Sequence, residues 1–386
     1  MNEPNLLMAI DDSEYADIRQ SIDAICSEFP SSYWRGLEDS ADKERYPEKF
    51  VATLEEAGFM SPSIPEEHEG IGLPIGGVAE IAKGIHACGS NAATFVAQNA
   101  LVEVLVRHAG DAQKASLLPR LASGELRLQS AAFSEPGTGD DASSWETVAE
   151  KKADGYVING RKRWVYFAED TNLVLLGAKA GKGADDVSLF AIDLAAVEGS
   201  GLDISPIKAM NNNRGAEVAF NDLQIGEECL VGEAGQGLVY LDTYRTVECI
   251  LMGAAAVGDC EFFSKKGTDY ANERVVFGNP IGKYQGIQFP LARTYIESQG
   301  AGMLLRMAIA HYEAGSGALD EAVMARCMAV QAAWDSADTT FSTHGGFAFA
   351  REYDVERKWR EARAWRNASG GDLPHIATRT LDLHQG

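Results

Sequence analysis

An isolated acid, Glu248, stands at the head of a strongly apolar segment. The stretch YRTVECILMGAAAVG covers residues 244–258, and the ten residues after Glu248 are all apolar or glycine. Desolvation raises the pKa of a carboxyl group toward neutrality, which suits a general base. An acid also fits the first turn of a helix, where the macrodipole favours negative charge. The segment alone leaves the role of this acid open, and a structural glutamate at the start of a helix is one possibility.

Other motifs of known chemistry find little support. GAKAGKG lacks Walker A spacing, and neither GTG nor GEAGQG has the G-x-G-x-x-G spacing of a dinucleotide site. The seven histidines show no H-x-H or H-E-x-x-H, and the six cysteines show no C-x-x-C, so no metal site or disulfide frame is predicted. There is no G-x-S-x-G nucleophile elbow. His344 precedes Gly345 and Gly346, which allow close backbone approach to a ligand, although a helix-ending turn explains this trio equally well.

Size and charge limit the class of protein. The chain has 386 residues, of which 45% are hydrophobic, enough for two or three domains or for layers that share a large helical core. A net charge of −23 argues against binding to nucleic acid or to anionic membranes. The acidic N-terminus lacks the features of a signal peptide, and no apolar run reaches membrane-spanning length. We expect a cytoplasmic protein.

Hydrophobic periodicity predicts the elements that must position Glu248. Helical spacing extends from Asp12 to about Arg127, and β-branched and aromatic runs begin at Leu128. The motif AKAGKGADD indicates a hairpin tip, and Asn159–Gly160 indicates a turn. Long helices are predicted at 240–272, 284–314 and 318–342. The predicted fold class is α+β, with a helical domain at 1–127, a β domain at 128–236 and a helical domain at 237–386.

Four stretches, in this order, resemble the acyl-CoA dehydrogenase family. They are AFSEPGTGDD (132–141), INGRKRWVYFAED (158–170), NERVVFGNPIGKYQGIQFPLA (272–292) and HGGFAFAREYDVERKWREAR (344–363). The resemblance implies an N-terminal helical domain, a middle β-barrel or sandwich and a C-terminal four-helix bundle. It also implies that FAD lies between the middle sheet and the C-terminal helices.

The resemblance assigns roles to individual residues. Those expected to bind FAD are Phe133, Ser134, Trp164, Tyr166, Arg274, Phe277, Gln285, Gly345 and Gly346, and Asp140 is expected near the CoA arm. Ser134 would hydrogen-bond to the pyrimidine end of the flavin, and Trp164 would form a flat aromatic wall beside the isoalloxazine. Arg274 suits a pyrophosphate because its guanidinium is a fixed fork. In the family, the residues at the positions of Arg274, Phe277 and Gln285 reach the FAD of a neighbouring subunit. This implies a homo-oligomer, usually a tetramer.

The position of the base departs from the commonest pattern. Most members carry it in a C-terminal stretch of the form E-G-T, but here that position is Ser369. Isovaleryl-type and long-chain-type members carry the base on another helix, at the position of Glu248. Tyr166, Asp140, Cys249, Ser342 and Gly371 also differ from the usual residues.

The activity implied is α,β-dehydrogenation of an acyl-CoA. Glu248 would take the α-proton, flavin N5 would accept hydride, and electron-transfer flavoprotein would receive the electrons. Two alternatives stay open. One is a non-catalytic partner subunit of a heteromeric flavoprotein, and the other is an oxidase-like or reductase-like relative.

Overall fold

Helices precede and follow the main β-region of the chain. The computed structural model describes residues 14–40, 44–181, 183, 186–197, 199–210, 213–368 and 372–383. The helices before the β-region are α1 (Ala16–Ser27), α2 (Ser31–Asp39), α3 (Glu48–Glu56), α4 (Ile75–Ala87), α5 (Ala93–His108) and α6 (Asp111–Ala122). The strands are β1 (Leu128–Ala132), β2 (Val148–Lys152), β3 (Gly155–Tyr166), β4 (Leu173–Lys179), β5 (Val187–Asp193), β6 (Leu202–Ile207) and β7 (Gly215–Ile225).

The C-terminal part is again helical. It contains α7 (Gly237–Glu273), a small hairpin of β8 (Val275–Val276) and β9 (Asn279–Pro280), α8 (Gln285–Glu313), α9 (Leu319–His344), α10 (Val355–Ala368) and α11 (Asp372–Leu383). The α+β class with a helix, sheet, helix order is confirmed. No helix in the described ranges is both long and apolar enough to cross a bilayer.

The chain divides into two compact units. The first takes in the described residues of Met1–Asp39, Pro74–Ala92 and Cys249–Gly386, and the second those of Ser40–Leu73 and Ala93–Glu248. Helix α7 contributes to both, because the division falls immediately after Glu248.

The β-sheet forms the centre of the second unit. Its strand order is β1-β4-β2-β3-β7-β6, and β5 pairs with β4. β1 and β4 are parallel, whereas β2–β3, β3–β7, β4–β5 and β6–β7 are antiparallel. Six of the seven residues of β4 are buried, as expected for a strand covered on both faces. One apolar cluster packs α5 and α6 against the sheet, and another fills the space between β3, β4, β5 and β7.

The predicted turn at Asn159–Gly160 is wrong. These residues lie inside β3, and the hairpin turn falls instead between Lys152 and Gly155. Asn159 exchanges two 2.9 Å hydrogen bonds with Asp222, which has φ +51° in an irregular part of β7. A Cβ on Gly160 would stand 2.4 Å from Thr147 Oγ1. The glycine is therefore needed for close strand packing and not for reversal. The hairpin tip predicted between β4 and β5 is confirmed.

In the first unit, α9 packs along α8 and α10. An apolar cluster of Phe262, Phe263, Ala337, Val355 and Ala362 joins α7, α9 and α10. Beside it lies a buried ionic cluster in which Lys358 Nζ stands 2.6 Å from Asp259 Oδ1 and 3.2 Å from Glu361 Oε2. Pairing keeps these charges tolerable away from water.

Candidate functional site

The loop after β1, residues 133–140, carries three of the predicted site residues and is held as a tight hairpin. Glu135 and Gly139 exchange two 3.0 Å backbone hydrogen bonds. Ser134 Oγ donates to the carboxylate of the exposed Asp140. The Phe133 ring is buried and stacks on Trp145, with the ring centroids 6.3 Å apart. The structure thus brings Phe133, Ser134 and Asp140 into one loop.

A buried lysine clamps this loop from beneath. Lys162 is fully buried, and its Nζ donates to the Phe133 carbonyl at 2.9 Å and to Glu135 Oε1 at 2.8 Å. The same nitrogen lies 3.8 Å from the centroid of the Trp145 ring, in cation–π geometry. Burial lowers the pKa of the Lys162 ammonium to about 8. Desolvation acts to raise the pKa of Glu135, but the Glu146 N–H and Lys162 outweigh it and hold that pKa below its usual value.

A bulge near the end of β3 presents Trp164. Arg163 pairs with Glu217 and Val165 with Ala216, so Trp164 is the extra residue. Its φ of +59° is rare for a residue with a Cβ. The extra residue turns Trp164 to the exposed side of the strand, although regular alternation from the buried Lys162 would have turned it inward. A Cβ on Gly215 would touch Trp164 at 3.4 Å and Tyr166 at 3.5 Å, so this glycine lies against both rings.

Glu248 lies on α7, and a hydrogen bond holds its carboxylate. Tyr244, one turn earlier, donates to Glu248 Oε1 at 2.6 Å. The Tyr244 ring meets the Phe133 ring edge-on, with centroids 5.1 Å apart and planes at 77°. Partial burial and the charge of Glu248 raise the pKa of the Tyr166 phenol, which places Tyr166 in the neighbourhood of this carboxylate. Glu248 itself is half-buried.

The remaining predicted residues belong to the first unit. Arg274 is exposed, and its guanidinium lies 5.5 Å from the centroid of the Phe347 ring. Phe277, which has φ +53°, and Gly278, with φ +79°, form the turn between β8 and β9. Phe277 is 93% exposed, and Gln285 begins α8.

The paired glycines follow α9. Gly345 is the C-cap of this helix at φ +58° and ψ −133°, a conformation that favours glycine, and Gly346 lies in the following 3-10 turn. His344 Nδ1 donates a 2.8 Å hydrogen bond to the Thr340 carbonyl, and the ring stacks on Tyr270 with the centroids 4.1 Å apart. The residues here explain His344 as a structural histidine at a helix end.

The second unit offers groups that fit a flavin. The carbonyls of Phe133 and Ser134 are already bound, by Lys162 and by the Arg163 N–H at 2.8 Å. The Ser134 N–H finds no acceptor in the described part of the chain, so it can donate to a ligand. Trp164 offers an exposed aromatic face held by the bulge. A free donor beside an exposed aromatic plane matches the polar edge and the flat face of an isoalloxazine.

Three contributors were not found from the sequence: Tyr244, Lys162 and Glu135. Tyr244 precedes Glu248 by one helical turn, and this spacing would have indicated a contact on one helix face. The ion pair of Lys162 and Glu135 has no local signal, because it joins a loop to a distant strand. Ser369 and Gly371, the departures near the C-terminus, lie outside the described residues.

Comparisons with known proteins agree with these features. The sequence matches the family profiles described as acyl-CoA dehydrogenase N-terminal domain (residues 12–125), middle domain (130–223) and C-terminal domain (235–373). A cyclohex-1-ene-1-carbonyl-CoA dehydrogenase of Syntrophus aciditrophicus is 30% identical, over 79% of this chain and 75% of that protein. A (2S)-methylsuccinyl-CoA dehydrogenase of Cereibacter sphaeroides is 31% identical over 88% of this chain, which spans only 65% of that relative.

A solved structure supports the same fold. Butyryl-CoA dehydrogenase from Megasphaera elsdenii superposes with a TM-score of 0.83 at 23% identity, covering 95% of this chain and 98% of that one. Family profiles cover most of the chain between residues 12 and 373, and the two relatives named above are 30% and 31% identical to it. The chain belongs to the acyl-CoA dehydrogenase family of FAD-dependent oxidoreductases.

Proposed function

We propose that this protein dehydrogenates an acyl-CoA thioester between Cα and Cβ, with Glu248 as the base. The Glu248 carboxylate takes the proton from Cα, which the adjacent thioester carbonyl acidifies. FAD, when bound, supplies the hydride acceptor at its N5. The Trp164 ring would lie against the flat face of the flavin, while Phe133, Ser134 and Tyr166 would line its edge.

The observation that carries this proposal is the chain of contacts from Glu248 to the loop 133–140. Tyr244 bonds Glu248 and packs edge-on against Phe133, the first residue of that loop. The proposed base and the proposed flavin loop therefore share one rigid connection. Catalysis by proximity requires this kind of fixed relation between the base and the hydride acceptor.

Bleaching of the flavin by acyl-CoA under anaerobic conditions tests the proposal. A suitable panel holds short-chain acyl-CoAs, methylsuccinyl-CoA and cyclohexenecarbonyl-CoA, following the names of the relatives. Glu248→Gln should keep the flavin and lose bleaching by at least about a thousandfold, because no base remains. The matched control is Glu261→Gln, an exposed acid on the same helix.

Three outcomes would redirect the assignment. Normal bleaching by Glu248→Gln would remove Glu248 as the base. A purified chain without flavin would favour the alternative of a non-catalytic partner subunit. Rapid reoxidation of bleached enzyme by air would favour an oxidase over a dehydrogenase that passes electrons to electron-transfer flavoprotein.

We further propose a homo-oligomer, a tetramer in the family's usual form. Phe277 is almost wholly exposed beside Arg274, and α8 carries Phe289, Ile296 and Met303 as exposed apolar residues seven positions apart. Large apolar groups repeated on one helix face favour a partner chain. Arg274, Phe277 and Gln285 would then reach the FAD of the neighbour. Light scattering of the holoenzyme measures the assembly. The three-domain division and the cytoplasmic location stay predictions.

A further inference from the structure

Tyr244 has no role in the proposed function as stated above, although it contacts the proposed base. It lies on α7 one turn before Glu248, and its phenol donates to Glu248 Oε1 at 2.6 Å. A hydrogen bond from a hydroxyl to a carboxylate is short and is stronger than one between two neutral groups. The bond also restricts rotation of a glutamate side chain that has three rotatable bonds.

Packing fixes the Tyr244 ring in turn. Its plane stands at 77° to the Phe133 ring with centroids 5.1 Å apart, an edge-to-face arrangement. Phe133 cannot shift easily, because its ring is buried against Trp145 and its carbonyl is bound by Lys162. The orientation of the phenol is thus set by the loop 133–140.

We infer that Tyr244 is a positioning residue, which holds the Glu248 carboxylate in a fixed relation to the flavin loop. The inference rests on the proposed function, since it gives Tyr244 a role only through the base. The Tyr244 phenol bonds this carboxylate, and the charge of the carboxylate also acts on the Tyr166 phenol of β3. Tyr166 stays in place in every variant below, so its influence is constant.

Tyr244→Phe removes the hydroxyl and keeps the ring. The limiting rate of anaerobic bleaching should fall about tenfold with little change in the acyl-CoA concentration for half-maximal rate, because the base is less well oriented after substrate binds. Flavin content should be unchanged.

Tyr240→Phe is the matched control. Tyr240 lies one turn earlier on α7, accepts the Glu233 N–H at 3.0 Å and stacks on His108 at 4.3 Å. It makes no contact with the loop 133–140 or Glu248 among the described interactions. Loss of the Tyr240 hydroxyl should lower the melting temperature without altering the limiting rate of bleaching.

Substitution of Tyr244 by 3-fluorotyrosine tests the inference without emptying the site. The more acidic phenol keeps a donor to Glu248 in the same place, so the limiting rate should stay close to that of the unchanged protein, in contrast to Tyr244→Phe. An unchanged limiting rate for Tyr244→Phe, or an equal loss in both variants, with Glu248→Gln inactive, would overturn the role of Tyr244 and leave the base intact. An active Glu248→Gln would instead overturn the proposed function itself.

Discussion

Lys162→Met should destabilise the second unit far more than other lysine changes on the same sheet. The ammonium is fully buried and makes two hydrogen bonds, to the Phe133 carbonyl and to Glu135, besides its contact with Trp145. Methionine fills the space but leaves the Glu135 carboxylate without its cation. Breaking one side of a buried ion pair costs about 3 to 5 kcal/mol of the free energy of unfolding. That is a large part of the stability of an ordinary domain, about 5 to 15 kcal/mol.

Glu135 limits the loss because it has other partners. Its carboxylate also accepts the Glu146 N–H at 2.6 Å and the Thr147 N–H at 3.0 Å. We therefore expect the lower end of the range for Lys162→Met. The double variant Lys162→Met/Glu135→Gln should recover about half of the loss, since an amide oxygen keeps an acceptor for these N–H groups without a buried charge.

Denaturant-induced unfolding followed by circular dichroism measures these free energies. Lys151→Met is the matched control, because Lys151 lies on β2, is about half exposed and pairs with the exposed Glu227. It should change stability little. Titration of the apoprotein with FAD gives a second readout, because freeing the Phe133 carbonyl loosens the flavin loop. If Lys162→Met costs no more than the Lys151 control, the clamp has no energetic role and the reasoning is refuted.

Two further changes test the second unit. Burial is the main cause that raises the pKa of Asp170 from 3.8 to about 6. Between these pH values the folded chain therefore binds more protons than the unfolded chain, which stabilises the fold. This stabilisation is lost as the pH rises through 6. Asp170→Asn should flatten the change in unfolding free energy between pH 4 and pH 7 by about 2 kcal/mol, and an unchanged slope would contradict the assignment. Gly160→Ala should cost about 2 kcal/mol or more in the same unfolding assay, because its Cβ meets Thr147. A denaturant unfolding curve like that of the unchanged protein would show that the strands can move apart at Gly160.

Helices were the part of the fold most accessible from the sequence. The three long helices predicted at 240–272, 284–314 and 318–342 are found at Gly237–Glu273, Gln285–Glu313 and Leu319–His344. Long helices are easy to recognise in a sequence because every turn repeats the same pattern of apolar and polar residues. The turn predicted at Asn159–Gly160 was wrong for the opposite reason. Its turn propensity is real in isolation, but close packing on Thr147 and pairing with Asp222 decide its conformation.

By itself the sequence determined which groups can react: a lone acid ahead of an apolar stretch, and four motifs in the order of one family. Tertiary structure decided how those groups are held. The bulge that exposes Trp164 depends on strand register. The packing of Tyr244 against Phe133 and the ion pair beneath the loop 133–140 join residues far apart in the chain. Such contacts are fixed by packing and burial, whose free energies depend on neighbours that local sequence does not specify.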